Sequence, residues 1–420
     1  ELYKRTGWDQ KYSKFKAFIK CELLPFFDKN GDGLMPLRAM VDRLINAPHD
    51  VTHAIAGRKI KPYLKWLKEQ WNVDNHLFYA GTSPDKLQKW LKRATSDGPK
   101  MVFWSDYSMF DSSHNEETWE FVESMYNQHS GDADFINVLN SWRIPSGTLR
   151  NLKYRARAMN ASGRDDTALA NAILNGFAML LSVTASWYRK PLKEVKRADL
   201  DRISSELILS ICGDDALGFL PSTSEQRRFE FITDCRANLK SFGFKAKMFA
   251  SDRFEDAVYL GHRPVLVDGV YYWSRTLGRC LYKLGWQNGI HGDPAAHFMG
   301  ICQMHQRISR HVPVLSDITE KWMECRQGAK VNEYKFDEYK PWKAMSEGSP
   351  DHYSQDTLES LARAYTVDRR MCRQDLSCED VFVTAADFEQ LILYVRERVD
   401  GSPCVLDHWL LRHMIWVDEQ

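Results

Sequence analysis

Leu207-Ile-Leu-Ser-Ile-Cys-Gly213-Asp214-Asp215-Ala-Leu-Gly-Phe-Leu220 is the stretch on which the reading of this chain turns. Two short apolar runs, Leu207 to Cys212 and Ala216 to Leu220, enclose one glycine and two aspartates. Apolar runs of strand length joined by a Gly-Asp turn predict a β-hairpin. Its tip then carries two adjacent carboxylates, which can reach the end of a neighbouring strand. Taken alone such a turn is an ordinary solvated bend, so its meaning depends on what the rest of the chain brings to it.

Toward the N-terminus, Met101 to Trp104 reads as a strand that ends at Asp106, and Asp111 follows at i+5 in Asp106-Tyr-Ser-Met-Phe-Asp111. Between this strand and the hairpin lies Ser162-Gly163-Arg-Asp-Asp-Thr167-Ala-Leu-Ala-Asn171. It sets a flexible glycine before a helix predicted over Asp165 to Val183, with Thr167 and Asn171 at i and i+4 on one face. The same residues also read as an N-capped helix whose Asp165 and Asp166 meet the helix dipole. Further helices are predicted over Asn115 to Gln128 and Glu225 to Phe242, the latter stopped by Gly243. Val265 to Tyr272, broken by Asp268 and Gly269, predicts a second hairpin, and after Leu277 the pattern is mostly helical. A strand, helix, helix, hairpin, helix order predicts an α+β core with a mainly helical C-terminal lobe.

The chemistry these segments suggest is phosphoryl transfer. That reaction depends on positioning and on charge neutralisation, and hard divalent cations held by a few carboxylates and by substrate phosphates supply both. Asp106 at a strand end and Asp214 and Asp215 at a hairpin tip are the carboxylates available. Lys14, Lys16, Lys20, Arg38, Arg43, Arg58, Lys59, Lys61, Lys65 and Lys68 are set among Phe, Tyr and Trp in the first hundred residues. That mixture fits a surface for phosphates and bases, and from Arg58 to Lys68 it equally fits a solvated helix face.

Composition bounds the remaining classes. A chain of 420 residues, 44% hydrophobic, can bury a large core, and it exceeds the roughly 100 to 200 residues of one ordinary domain. The 57 Lys and Arg nearly cancel the 56 Asp and Glu, so any nucleic-acid path must come from local clustering. The nine cysteines, an odd count in a long chain with a good core, favour reduced thiols over a disulfide scaffold, and the absence of a C-x-x-C pair leaves a zinc site weakly supported. The longest apolar run, Ile173 to Val183, contains Asn175 and Ser182 and is shorter than a membrane span requires. The chain opens with Glu1 and no signal peptide is visible, so a piece of a larger precursor is expected.

In order and spacing these segments resemble the RNA-dependent RNA polymerases of small positive-strand RNA viruses, closest to the tombusvirus-like and nodavirus-like groups. Asp106 and Asp111 are similar to motif A, Ser162 to Asn171 to motif B, and Gly213 to Asp215 to motif C. Phe18-Ile-Lys20-Cys-Glu22 with Pro36-Leu-Arg38-Ala-Met-Val-Asp-Arg43 resembles motif F, Phe242-Gly-Phe-Lys245-Ala-Lys247 motif D, and Tyr259-Leu-Gly261-His motif E. The likeness covers roughly residues 15 to 285; beyond that a thumb is placed by order alone.

The resemblance implies a right-hand polymerase fold. Fingers occupy 1–100 with an insertion at 113–160, the palm 101–112 and 161–276 as an antiparallel sheet flanked by helices, and a mainly helical thumb 277–420. It implies Asp106, Asp214 and Asp215 as holders of two Mg2+ or Mn2+ ions. Asp111, Ser162, Gly163, Thr167 and Asn171 are implied around the nucleotide sugar, and Lys20, Arg38 and Arg43 on the triphosphate. A lysine of motif D would protonate pyrophosphate; Lys245 and Lys247 compete, and Lys247 is favoured. The implied partners are an RNA template and product duplex, ribonucleoside triphosphates and other replicase proteins, in the host cytoplasm at viral replication complexes.

Two other classes stay open at this level, a catalytically idle RNA-binding scaffold and a reverse transcriptase on the same palm. Intact Asp106, Asp214 and Asp215 weigh against the first. A carboxylate at Asp111, where a bulky ring would exclude the ribose 2′-hydroxyl by clash, weighs against the second. Asp28-Lys-Asn30-Gly-Asp32-Gly33 copies half of a calcium loop, but Ala39 stands where the bidentate Glu is needed, so a tight turn is expected. His291, His305, Trp322 and Trp342 read either as an aromatic priming platform or as core.

Overall fold

The computed structural model describes residues 8–20, 44–71, 76–78, 84–96, 98, 100–127, 132–285, 293–328, 349–367, 380–402 and 404–419. They fall into two compact units, one within 1–22, 37–82 and 97–252, the other within 23–36, 83–96 and 253–420. The architecture is mixed α+β with predominantly antiparallel sheets.

In chain order the first unit begins with β1 (Lys14–Ile19), β2 (Leu44–Ala47), α1 (Asp50–Trp71) and β3 (His76–Phe78), while α2 (Pro84–Ser96) belongs to the second. Then follow β4 (Lys100–Tyr107), α3 (Glu116–Asn127), α4 (Ala133–Arg143), β5 (Ser146–Leu149), β6 (Leu152–Arg155) and α5 (Thr167–Trp187). The unit closes with α6 (Arg197–Glu206), β7 (Ile208–Cys212), β8 (Asp215–Pro221), α7 (Glu225–Ser241) and β9 (Ala246–Ser251).

The central sheet has the order β3-β7-β8-β4-β9. β4 pairs antiparallel with both β8 and β9, β7 pairs antiparallel with β8, and only β3 joins in parallel. Apart from β3, the path strand, helix, hairpin, helix, strand with β8 and β4 side by side at the centre is the split β-α-β, ferredoxin-like arrangement. β4 takes a central place because Met101, Val102, Phe103, Trp104 and Ser105 are all buried, a run that only a strand covered on both faces can hide. Gly218 lies opposite Phe103 in the ladder, and a Cβ there would overlap the Phe103 ring, so the glycine makes room for the aromatic.

α5 is the helix on which the core is built. By length and composition it could cross a membrane, but 78% of its apolar window is buried inside the protein, against α7, α3, β7 and β8. α1 buries Val51, Ile55, Ile60, Tyr63 and Leu67 and leaves Lys61 and Lys65 outside, the amphipathic face expected of Arg58 to Lys68. α7 starts on Ser224, whose Oγ accepts from Arg227 N at 3.3 Å. It ends in a Schellman motif: Gly243 adopts φ +91°, Gly243 N donates to Lys240 O at 2.9 Å, and Phe244 N to Leu239 O at 3.1 Å. Phe244 and Leu239 are both buried in the same core, which turns the chain directly into β9 beside β4. The second sheet of this unit runs β2-β1-β5-β6, with β1 and β5 parallel.

The second unit adds the hairpin β10 (His262–Val267) and β11 (Val270–Arg275) and the helices α8 (Leu277–Lys283), α9 (Pro294–Ile308) and α10 (Leu315–Cys325). α11 (Gln355–Tyr365), α12 (Ala385–Arg398) and α13 (Trp409–Glu419) complete it. Asp268 and Gly269 both have positive φ, the conformation a two-residue type I′ turn demands. Val265 and Val267 pack with Leu277, Tyr365, Phe388, Leu391 and Met414, so this hairpin groups with the helices. Its core also holds a buried clasp, in which the Asp418 carboxylate accepts from Gly278 N at 2.7 Å and Tyr365 Oη at 2.9 Å. Trp322 lies in this core, edge-on to Phe298, which is the core reading of that residue; His305 is partly buried and meets Ser309. His291, Trp342, the segment Asp28 to Gly33 and Ala39 lie outside the described residues. The described cysteines Cys212, Cys235, Cys280, Cys302, Cys325 and Cys404 are free thiols.

Candidate active site

The end of β4 is where the apolar run stops. Ser105 is buried, Asp106 is exposed, and Tyr107 returns to the core. On one side the β4–β8 ladder runs from Lys100 opposite Pro221 to Ser105 opposite Ala216, one residue short of Asp106 on β4 and of Asp215 on β8. On the other side Asp106 is paired in register with Lys247 of β9, and Lys247 Nζ lies 3.6 Å from Asp106 Oδ2. Lys245 precedes β9; its carbonyl accepts from Ser108 N at 3.0 Å and its side chain is exposed.

The β7–β8 connection is a two-residue turn, Gly213 and Asp214, closed by the pair Cys212 and Asp215. Gly213 has φ +62° and nothing lies within 4 Å of where its Cβ would be, so the glycine is required by conformation and not by space. Asp214 and Asp215 are both partly exposed. Behind them, burial and then the two aspartates push the Cys212 thiol up to about 12, so it stays protonated. Asn175, fully buried within α5, faces the turn from inside: its Nδ2 lies 3.1 Å from Gly213 O, 2.8 Å from Asp214 O and 3.3 Å from Asp215 O. Tyr107 Oη donates to Asn175 Oδ1 at 2.8 Å.

A second cluster forms one turn earlier on the same helix. Asn171 Nδ2 donates to Asp111 Oδ1 at 2.8 Å, and Asn160 Nδ2 lies 3.1 Å from Asp111 Oδ1 and 2.7 Å from Asn171 Oδ1. Asn160 N also donates to Asp111 O at 2.9 Å. His114 Nε2 lies 3.0 Å from Asn171 Oδ1. Burial, with the charge of Arg164 adding to it, lowers the His114 pKa to about 4, so the ring is neutral and donates to the amide oxygen.

The segment before α5 is held by its surroundings rather than by the helix it precedes. Ser162 O accepts from Asn46 N at 2.7 Å, and a Cβ on Gly163, at φ +106°, would come within 2.7 Å of Asn46 O. Thr167 Oγ1 donates back to Arg164 O at 3.1 Å. Asp166 is the N-cap residue, yet its side chain makes no capping bond, contrary to the N-cap reading. Its carboxylate instead takes Arg164 Nε at 2.9 Å and Nη2 at 2.6 Å, with Tyr126 Oη at 3.1 Å. The Arg164 guanidinium lies between Trp119 and Trp142, 4.4 Å from each ring centroid. Asp165 turns outward to His53 Nδ1 at 2.8 Å.

The sequence-derived residues are thus gathered in part. Asp106, Asp214, Asp215 and Lys247 converge on adjoining strand ends, and Asp111 and Asn171 meet directly. Thr167 turns to its own loop, and Ser162 and Gly163 dock on β2. Lys20 follows β1 and is exposed, while Arg38 and Arg43 lie outside the described residues. Among the described residues no three His, Cys, Asp or Glu side chains form a ready-made metal cage. The donors at the strand ends are carboxylate oxygens, the type that suits Mg2+ or Mn2+ held jointly with substrate phosphates. Sequence reasoning missed Asn160, His114, Tyr107 and Asn175; only Asn175 had a signal, as a polar residue inside the apolar run Ile173 to Val183. A scan against family models finds no match, and a comparison with curated proteins finds no similar chain.

Proposed function

We propose that this chain is the catalytic right-hand domain of an RNA-dependent RNA polymerase that copies an RNA template with ribonucleoside triphosphates. The observation that carries the reading is the strand register: the β4–β8 ladder ends one residue before Asp106 and before the Asp214-Asp215 turn, and Lys247 stands opposite Asp106. The ferredoxin-like sheet serves as the palm, residues 1–100 and 113–160 as fingers, and 277–420 as thumb. The order of motifs along the chain supports this assignment.

Asp106 and Asp214 would hold two Mg2+ or Mn2+ ions, with Asp215 supporting them. Bound there, such ions would neutralise phosphate charge and ease loss of the 3′-hydroxyl proton to solvent. Attack by that oxygen on the α-phosphorus breaks the bond to pyrophosphate, whose leaving oxygen takes a proton from Lys247 Nζ. Asp111 and Asn171 read the ribose: a carboxylate can accept from the 2′-hydroxyl while an amide donates to it. Lys20, Arg38 and Arg43 steady the triphosphate, and the setting is a viral replication complex in the host cytoplasm with other replicase proteins.

Primer extension on an RNA template, with rNTPs and dNTPs in parallel, tests the proposal. Incorporation of rNTPs well above dNTPs is expected. A preference for dNTPs would transfer the reading to a reverse transcriptase. RNA binding with no incorporation of either substrate in Mg2+ or Mn2+ would leave only a scaffold.

A further inference from the structure

Resting on the polymerase reading, we propose that Asn175 is a positioning residue that holds the Gly213–Asp215 turn at a set distance from the strand bearing Asp106 and from the ribose-reading pair. Asn175 has 0% exposure and sits where α5 is otherwise apolar. An amide buried there is costly unless its hydrogen bonds are made, about 1–3 kcal/mol for an unsatisfied group. All the bonds it makes are to the catalytic segments.

Its orientation is fixed by chemistry. The carbonyls of Gly213, Asp214 and Asp215 can only accept, so Nδ2 must face them, and Oδ1 must face the Tyr107 hydroxyl, which donates. The two Nδ2 hydrogens serve Asp214 O at 2.8 Å and Gly213 O at 3.1 Å best, and Asp215 O at 3.3 Å shares them. Tyr107 is the neighbour of Asp106 in β4, and its ring is packed against Phe110 and Phe244. One side chain therefore ties the backbone of the turn to the side chain of Tyr107, the residue next to Asp106.

The placement along α5 extends the argument. Asn171 and Asn175 are one helical turn apart on one face, an axial step of about 6 Å. Asn171 holds Asp111 and Asn175 holds the turn, so a rigid helix sets the spacing between the sugar-reading pair and the acidic turn. A hairpin tip without this anchor would present Asp214 with the freedom of an ordinary surface turn.

The test uses the full chain carrying Asn175→Leu, which keeps the branched shape and the same number of heavy atoms without the amide's hydrogen bonds, and separately Tyr107→Phe, which removes one hydrogen bond and keeps the packed ring. Mn2+ affinity is followed by electron paramagnetic resonance, and amide hydrogen exchange is read at residues 213–215. Nucleotide incorporation is measured as kcat and KM in the same proteins. In Asn175→Leu we expect about tenfold weaker Mn2+ binding, exchange at the turn at least about tenfold faster, and kcat down about tenfold or more with KM within about threefold, the scale of one or two lost buried hydrogen bonds. Tyr107→Phe should move each quantity the same way by a smaller factor, and it carries the test alone if Asn175→Leu does not fold. Turn exchange and Mn2+ affinity at wild-type values in a folded variant would overturn the proposal while leaving the polymerase reading intact. If the wild type incorporates no nucleotide, that reading falls, and exchange at the turn still decides what Asn175 does.

Discussion

Lys247 stands across the β4–β9 ladder from Asp106, its Nζ 3.6 Å from Asp106 Oδ2. Both side chains are about half exposed, so the ion pair contributes at most about 1 kcal/mol to stability. For the proposed chemistry its position opposite Asp106 matters more than its strength, because a proton donor must lie within reach of the group it serves.

Replacing Lys247 by Leu should therefore leave thermal stability nearly unchanged and lower kcat by about 10² or more, the range of general acid catalysis. KM for rNTPs should change much less. Lys245→Leu, one residue beyond the last pair of the ladder, should be mild; single-turnover rates for the two variants measure the difference, and the reverse ranking would move the proton to Lys245.

Asp214→Ala should fold as the wild type does and lose nucleotide incorporation. A partly exposed turn aspartate adds little to a core, whereas loss of a metal-holding carboxylate removes neutralisation of the transition state, commonly worth about 10² to 10³ or more in rate. Circular dichroism and extension rates check the two halves of the statement, and wild-type extension would sink the two-metal assignment.

Asn171→Ala should lower kcat/KM for rNTPs while changing dNTP use much less, narrowing their ratio. The hydrogen bond from Asn171 to Asp111 is on hand to read a 2′-hydroxyl, and it would serve equally as a clasp within the fold. A site built to bond a hydroxyl discriminates against the analogue lacking it, so the ratio is the informative quantity. Equal losses on both substrates would assign Asn171 to the clasp alone.

Arg164→Met should destabilise the first unit by about 3–5 kcal/mol, the usual result of stripping one partner from a buried ion pair. Both side chains of the Arg164–Asp166 pair are fully buried, and Met cannot replace the bidentate bonds or the stacking on Trp119 and Trp142. Urea unfolding measures the loss. A change within about 0.5 kcal/mol, typical of surface sites, would show that the pair is not structural.

His114 makes the stability of the first unit fall with acidity. Its pKa is about 4 in the fold and 6.5 when free, so between those values the unfolded chain binds a proton that the folded chain refuses. Stability is full above pH 6.5 and declines as pH drops toward 4, by about 2 kcal/mol between pH 7 and pH 5. His262, His305 and His311 are lowered for the same reason but lie in the second unit. His114→Asn should remove the decline from unfolding of the first unit, and an unchanged pH profile would show that His114 is protonated in the fold.

Much of the framework could be read from local sequence because local forces produce it. Gly213 and Gly269 mark hairpin turns since their positive φ suits glycine, Gly243 ends α7 for the same reason, and the apolar run at Met101 to Trp104 has the composition of a strand buried on both faces. Asp106, Asp214 and Asp215 could be singled out because carboxylates interrupt or end such runs. Local chemistry misread Asp166, since a side chain with the right type for an N-cap was claimed by Arg164 and Tyr126, partners that bind it more strongly than a helix amide does.

By itself, then, the sequence determined the strand that ends at Asp106, the two hairpins and their turns, the helices over Glu116–Asn127, Thr167–Trp187 and Glu225–Ser241, and which acidic residues would stand at strand ends, because periodicity and turn chemistry act over a few residues. Tertiary structure decided which strands adjoin, and with that, that Lys247 and not Lys245 lies in register with Asp106. It also brought Asn160 and His114, neither with any local mark, to Asp111 and Asn171, and it converted Asn175 from a flaw in an apolar helix into the partner of the acidic turn. These pairings join residues far apart in the chain, so they are settled by which surfaces bury one another and by the need of every buried polar atom for a partner.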